Sequence, residues 1–261
     1  NVIPSGFTNM FKMHRNIVIF NVDGKITEPG VIYKNDVWAA PQCVISVNAA
    51  NLEGAQILLE ENLSQMLVYV EQAERNRIIA NSRLYPERSL DPIVTEMVGG
   101  SPVFPSGYTL RKKSENFIWI AYETTYTTQG ILIYKYPSSG TQADFELEDI
   151  IRHSDEILKE NVPGMFDGTY MMTSTFATPS ITFEKYQGRA FASVHGLWEV
   201  YKDFMGGPFV SHVFYSRDGK EMIVMQGFVY APKFEKRHYL RQVESILYSF
   251  SWASPDRDTK G

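Results

Sequence analysis

The chain has a single cysteine, Cys43, so no disulfide can form within it and its stability must come from packing. Cys43 lies in the apolar run Val37–Val47 with no histidine near it in sequence. A small buried hydrophobe is the plain reading, ahead of a reactive thiol. No apolar run reaches the roughly 18–20 residues that span a bilayer as a helix. An excess of positive charge is also missing: 25 Lys and Arg stand against 30 Asp and Glu, a net charge of −5. That balance argues against a nucleic-acid partner, whose phosphates need a basic surface. The basic clusters Arg111-Lys112-Lys113 and Lys236-Arg237 are short and read as solvated faces. Catalytic and metal motifs are lacking too. His14, His153, His195, His212 and His238 are scattered, without the spacing of a zinc site. There is no G-x-S-x-G elbow and no Walker loop. Gly99-Gly100-Ser101 is a helix stop, since no lysine and no following helix accompany it. No cofactor, metal or catalytic residue is expected.

Present instead is the material of a sizeable folded core. Of the 261 residues 44% are hydrophobic and 21% charged, and the aromatic share of 13% is high, with 15 Tyr and 16 Phe. Such side chains bury large areas and stiffen sheet faces. The chain begins Asn1-Val2-Ile3-Pro4 without an initiator methionine, as a trimmed or mature protein does. A missing signal segment is therefore no argument for a cytoplasmic home.

A phrase recurs. Residues 129–137 read Q-G-I-L-I-Y-K-Y-P and 226–232 read Q-G-F-V-Y-A-P. Before the first copy, the pattern predicts strands at 16–22 and 42–48 and a helix over 51–81. Asn51 caps that helix, and Leu52, Ala55, Leu59, Leu63, Met66, Val70 and Ala73 form its stripe. A short helix over 90–98, capped by Ser89, follows. The first copy then predicts strands at 108–113, 117–123 and 129–136, stopped by Pro137, and a helix over about 146–160. The second predicts strands at 181–186, 189–199 and 221–231 and a helix over about 233–250. The fold class expected is α+β, antiparallel sheet packed against helices, with an internal duplication of a helix-strand-strand-strand-helix unit. One compact unit over 1–261 is expected, its duplicated halves at about 16–141 and 142–250, with the loop 138–144 as the best internal boundary and a frayed polar tail from 253.

The second copy carries extra material from Val200 to Arg217. Its Gly206-Gly207-Pro208 corner is flanked by Trp198, Tyr201, Phe204, Met205 and Phe209. The functional reading is a binding surface whose aromatics stack on sugars or pack on apolar groups, with Glu199, Asp203 and His212 as polar contacts. The candidate ligand-binding set is therefore Trp198, Glu199, Tyr201, Asp203, Phe204, Phe209 and His212. The plainer reading is a long hairpin that packs its aromatics into the core.

Residues 196–241, G-L-W-E-V-Y-K-D-F-M-G-G-P-F through G-F-V-Y-A-P-K-F-E-K-R-H-Y-L-R, resemble a family of Bacteroidetes cell-envelope lipoproteins defined only as a domain of unknown function. Arg83-Leu84-Tyr85-Pro86, Phe117-Ile118-Trp119-Ile120 and Ile133-Tyr134 carry the same likeness. The resemblance implies a secreted, lipid-anchored or periplasmic protein whose signal and anchoring Cys are absent from this sequence. Cys43, inside the folded chain, cannot be that anchor. Membrane contact is expected only through the lipid. The resemblance implies no activity. The function expected is a non-enzymatic envelope module that binds a glycan, a peptide or an envelope protein. The alternative is a hydrolase of an envelope glycan or peptide polymer.

Overall fold

A computed structural model describes residue 3 and residues 6–254. From 255 on, the polar tail lies outside the described residues, as do Asn1, Val2, Pro4 and Ser5. The chain divides into two compact units, 1–78 and 79–261.

In the first unit, a short helix α1 (Asn9–Lys12) precedes three strands, β1 (Asn16–Val22), β2 (Gly30–Asn35) and β3 (Cys43–Ala49). They form a mixed sheet of order β1-β3-β2, with β1 parallel and β2 antiparallel to β3. The helix α2 (Leu52–Leu84) follows. Its cap is the one expected: Asn51 Oδ1 accepts from the Gly54 N–H at 2.8 Å, supplying a partner that a first-turn amide otherwise lacks. Of the expected stripe, Ala55, Leu59, Met66, Val70 and Ala73 pack with Ile45, Val47 and Tyr33. Leu52 and Leu63 are exposed instead, and Leu58 and Tyr69 take part in the packing. Cys43 is fully buried in this core. Burial pushes its thiol pKa up, against the pull of Arg77.

The second unit begins within α2, whose Ile79 joins its core. Next come α3 (Asp91–Val98), β4 (Gly100–Ser101), β5 (Thr109–Lys113), β6 (Phe117–Glu123) and β7 (Thr128–Pro137). Gly99 ends α3 at φ +76° and donates to Thr95 O at 2.8 Å, the left-handed cap that glycine adopts without a Cβ clash. Ser89 does not cap α3; its hydroxyl donates to Glu87 Oε1. Then follow α4 (Leu147–Asn161), β8 (Met171–Thr173), β9 (Ser180–Tyr186), β10 (Arg189–Val200), β11 (Gly206–Tyr215), β12 (Glu221–Tyr230), α5 (Arg237–Tyr248) and β13 (Ser251–Trp252). Eight of these strands make one antiparallel sheet of order β5-β6-β7-β12-β11-β10-β8, with β9 also on β10.

The supposed insert at 200–217 is thus a structural strand. β11 lies between β10 and β12 and pairs with both along its length. Gly206 and Gly207 do not have positive φ; they are small because neighbours are close. A Cβ on Gly207 would stand 2.1 Å from Val229 O and 3.2 Å from Trp198 Nε1. Pro208 is tolerated because it sits near the start of the strand.

The two copies of the phrase are neighbours, β7 against β12, and strand order mirrors around them. The helices do not follow that mirror. On α4, Ile150 and Leu158 pack with Leu132, Tyr134 and Val224 on one face. On α5, Val243 and Ile246 pack with Ile131, Ile133 and Met225 on the other. A two-fold axis exchanging adjacent antiparallel strands stands normal to the sheet and preserves its faces, so it would put both helices on one side. The duplication is not shown. The repeated residues answer different demands. Gln226 faces α4, where its Oε1 accepts from the Tyr134 hydroxyl at 3.0 Å. Gln129, in alternation with Leu132, faces the α5 side. Gly130 makes room for the Phe228 ring and Gly227 for Val243 of α5.

The loop after β7 holds a carboxylate with a clear pH signature. Asp144 accepts from Ser138 Oγ and Ser139 N, both at 2.8 Å, and from Gly140 N and Tyr215 Oη, both at 3.1 Å. Burial by itself would raise its pKa; the bonds from Ser139, Ser138 and Tyr215 outweigh burial and hold it at about 2. An unfolded aspartate titrates near 3.9. The folded pKa is the lower one, so this stabilisation is present above about pH 4 and is lost as pH falls through about 2. In urea unfolding across pH 1.5–7 (about) the gap between the parent chain and Asp144→Asn should close over that window. A gap that stays constant would show that the ionised carboxylate contributes nothing.

Candidate functional site

The structure separates the expected binding residues into three groups. Trp198 and Phe209 are core, each 3% exposed. Trp198 sits edge-on to Phe228 at 5.3 Å, and its indole N–H reaches over Gly207 to donate to Val229 O at 3.3 Å. Phe209 faces the same side of the sheet. His212 points to the opposite face, fully buried, stacked on Phe191 at 4.1 Å and edge-on to Tyr248 at 4.6 Å. Tyr201, Asp203 and Phe204 lie in the hairpin 201–205 that joins β10 to β11. Glu199 stands just before it, its Oε2 accepting from Ser174 Oγ at 2.6 Å. Asp203 Oδ1 accepts from the Phe204 N–H at 2.6 Å. Each carboxylate thus accepts a hydrogen bond from a different partner.

What the hairpin does join is a surface not visible in the sequence. β8 pairs with the end of β10, Met171 opposite Val200. That pairing brings the loop 162–170 beside the hairpin, where the Tyr201 N–H donates to Tyr170 O at 2.8 Å. Their two rings stack at 5.0 Å and 23°. Lys159 Nζ stands 5.3 Å from the Tyr170 ring centre and Lys202 Nζ 5.1 Å from that of Tyr201, a favourable placement of cations on aromatic faces. Beyond this stack project Phe204, fully exposed, Met165, 84% exposed, and Phe166, 63% exposed. Lys202 holds φ +61°, a left-handed conformation that costs a lysine more than a glycine.

The same end of the sheet carries two further connections. Glu123 pairs with Thr128 and Thr128 with Tyr230, so the turn 124–127 and the segment 231–236 emerge there too. They present Tyr126 and Phe234, both exposed, and Lys233 Nζ lies 5.1 Å from the Tyr126 ring. The charges at this end are of both signs: Lys159 and Glu160 at the end of α4, Asp167 in the following loop, Lys202 and Asp203 in the hairpin, and Lys233, Glu235 and Lys236 after β12.

Comparison with known proteins bears on kinship alone. Residues 1–83 match a family described as a domain of unknown function, DUF8532. Residues 87–249 match a second, DUF4837. The two matches meet near the C-terminal end of α2. No curated protein matches the chain. Among solved structures, the Saccharomyces cerevisiae Ran-binding protein Mog1p is similar at 10% identity over 59% of this chain and 90% of its own, with a TM-score of 0.37. A Bacteroides thetaiotaomicron protein is similar at 12% identity over 60% of this chain and 46% of its own, with a TM-score of 0.31. Likeness this distant carries no argument. The match over 87–249 spans more than half of the sequence, and on it the chain belongs to the DUF4837 family of domains of unknown function.

Proposed function

We propose that the chain is a non-enzymatic binding module of the cell envelope that works through the hairpin end of its large sheet. The observation that carries this is Phe204, fully exposed in the hairpin 201–205, which bonds through Tyr201 to the loop 162–170 that holds exposed Met165 and Phe166. Scattered exposed apolar residues need no explanation, but a cluster projecting from adjacent loops marks a contact surface. The left-handed Lys202 supports the reading, since a strained residue kept where glycine would be easier points to a use for its side chain. A hydrolase is supported less well: Glu199 and Asp203 accept from separate partners, Ser174 and the Phe204 N–H, and His212 is buried on the far side of the Trp198 face. The envelope setting, with a lipid anchor on the precursor, rests on the resemblance to envelope lipoproteins. Sugar stacking on the tyrosine pair is disfavoured because a lysine stands over each ring.

The test is binding of the purified chain to washed envelope fractions. Phe204→Ser with Phe166→Ser should weaken it about tenfold or more while melting stays at the parent value. Unchanged binding would remove the tip from the function.

A further inference from the structure

We infer that the occupant of this sheet end is the headgroup region of a zwitterionic phospholipid bilayer, entered by Phe204, Phe166 and Met165; this rests on the binding-module reading above and names its ligand. Three observations converge. The first is shape. Phe204 and Met165 are, with Phe176, the most exposed large apolar side chains of the second unit, and they stand in two loops joined at their base by the Tyr201–Tyr170 bond. A protein interface usually buries about 800 Å² per partner with its anchors in a well-packed centre. A few projecting side chains suit a deformable apolar medium better than a preformed pocket.

The second is layering. Tyr170 and Tyr201 sit in the turns just behind the apolar tips, and Tyr126 stands at the same end of the sheet. Tyrosine rings favour the membrane–water interface, where an apolar body and a polar hydroxyl are both accommodated. Lys159, Lys202 and Lys233 lie over those rings. Their long stems can cover apolar surface while the ammonium groups remain among headgroup phosphates.

The third is charge. Cations and anions are interspersed at this end of the sheet, so the surface offers no field of one sign. Binding to an anionic leaflet by a polybasic patch would need such a field. A mixed surface meets phosphate and ammonium equally, which is the chemistry of a zwitterionic headgroup. The anions also limit depth: Asp167 and Asp203 flank Phe166 and Phe204, so only the tips enter the boundary between headgroups and acyl chains.

Flotation of the purified chain with phosphatidylcholine vesicles tests this. The chain should float with them, and binding should change less than about twofold when salt rises from about 0.05 to about 0.5 M or when anionic phosphatidylglycerol is added. Phe204→Ser with Phe166→Ser should lose about tenfold or more. Failure to float, flotation that requires anionic lipid, or undiminished flotation of the double variant would each overturn the bilayer proposal. Tip-dependent binding to envelope fractions without flotation would assign the surface to a protein or glycan and leave the module standing. Loss of both would end both readings.

Discussion

Trp198→Ala will lower the stability of the second unit by about 3–5 kcal/mol, and Phe209→Ala by a similar amount, whereas Phe204→Ala will change it by less than about 0.5 kcal/mol. The three residues fall within twelve positions of one another and look equivalent in sequence. Their surroundings decide the difference. The Trp198 indole fills the space over Gly207, touches Phe228, and supplies a donor to Val229 O. Truncation removes the buried rings, leaves a cavity that paired central strands cannot collapse, and removes a donor from a buried carbonyl. Phe204 loses nothing on truncation because the folded chain does not cover it. Urea midpoints of the three variants measure this directly. If Trp198→Ala unfolds with the parent chain, the indole is not part of the core, and its place in the binding surface must be reconsidered.

β6 is readable in the sequence residue for residue, because Phe117–Glu123 is a β-branched and aromatic run between a turn and a polar stretch. Asn51 and Gly99 mark helix ends through chemistry that needs no tertiary context. β11 is not readable, because Gly206-Gly207-Pro208 has the composition of a corner. Its glycines answer to Val229 and Trp198, partners fixed only when the sheet forms. The division at Ile78 falls inside α2, where no loosening of composition can signal it. Of the hairpin end, Tyr201, Asp203 and Phe204 are legible as an aromatic and polar excess. Met165, Phe166 and Tyr170 are not. They arrive beside the hairpin through β8, three residues whose pairing with β10 no local pattern announces. The mirrored Gln-Gly phrase misleads for the same reason: identical residues are kept by different neighbours.

Those neighbours give the second large effect. Gly130→Ala should cost about 1–3 kcal/mol or more, and the cost should fall sharply when Phe228 is also made small. Across the α4 face one row of the sheet reads Gly130, Phe228, Phe209, Gly196 in register. The two central rings lie outward over the two glycines: an alanine Cβ at Gly130 would stand 2.0 Å from Phe228 Cε1, and one at Gly196 2.7 Å from Phe209 Cε1. Glycine in a strand interior is ordinarily a weakness; here it is the socket for a ring, and the aromatic covers backbone that glycine leaves bare. Phe228→Ala alone should cost about 3–5 kcal/mol. Added to it, Gly130→Ala should be nearly neutral, because the methyl then enters space the ring has vacated. The coupling in that double-mutant cycle should exceed about 1 kcal/mol. Gly24→Ala is the control: no atom stands within 4 Å of its Cβ position and its φ is not positive, so it should fall within about 0.5 kcal/mol of the parent. Strict additivity of Gly130→Ala and Phe228→Ala would mean that the ring does not occupy the glycine's socket, and the explanation of the first Gln-Gly phrase would fail with it.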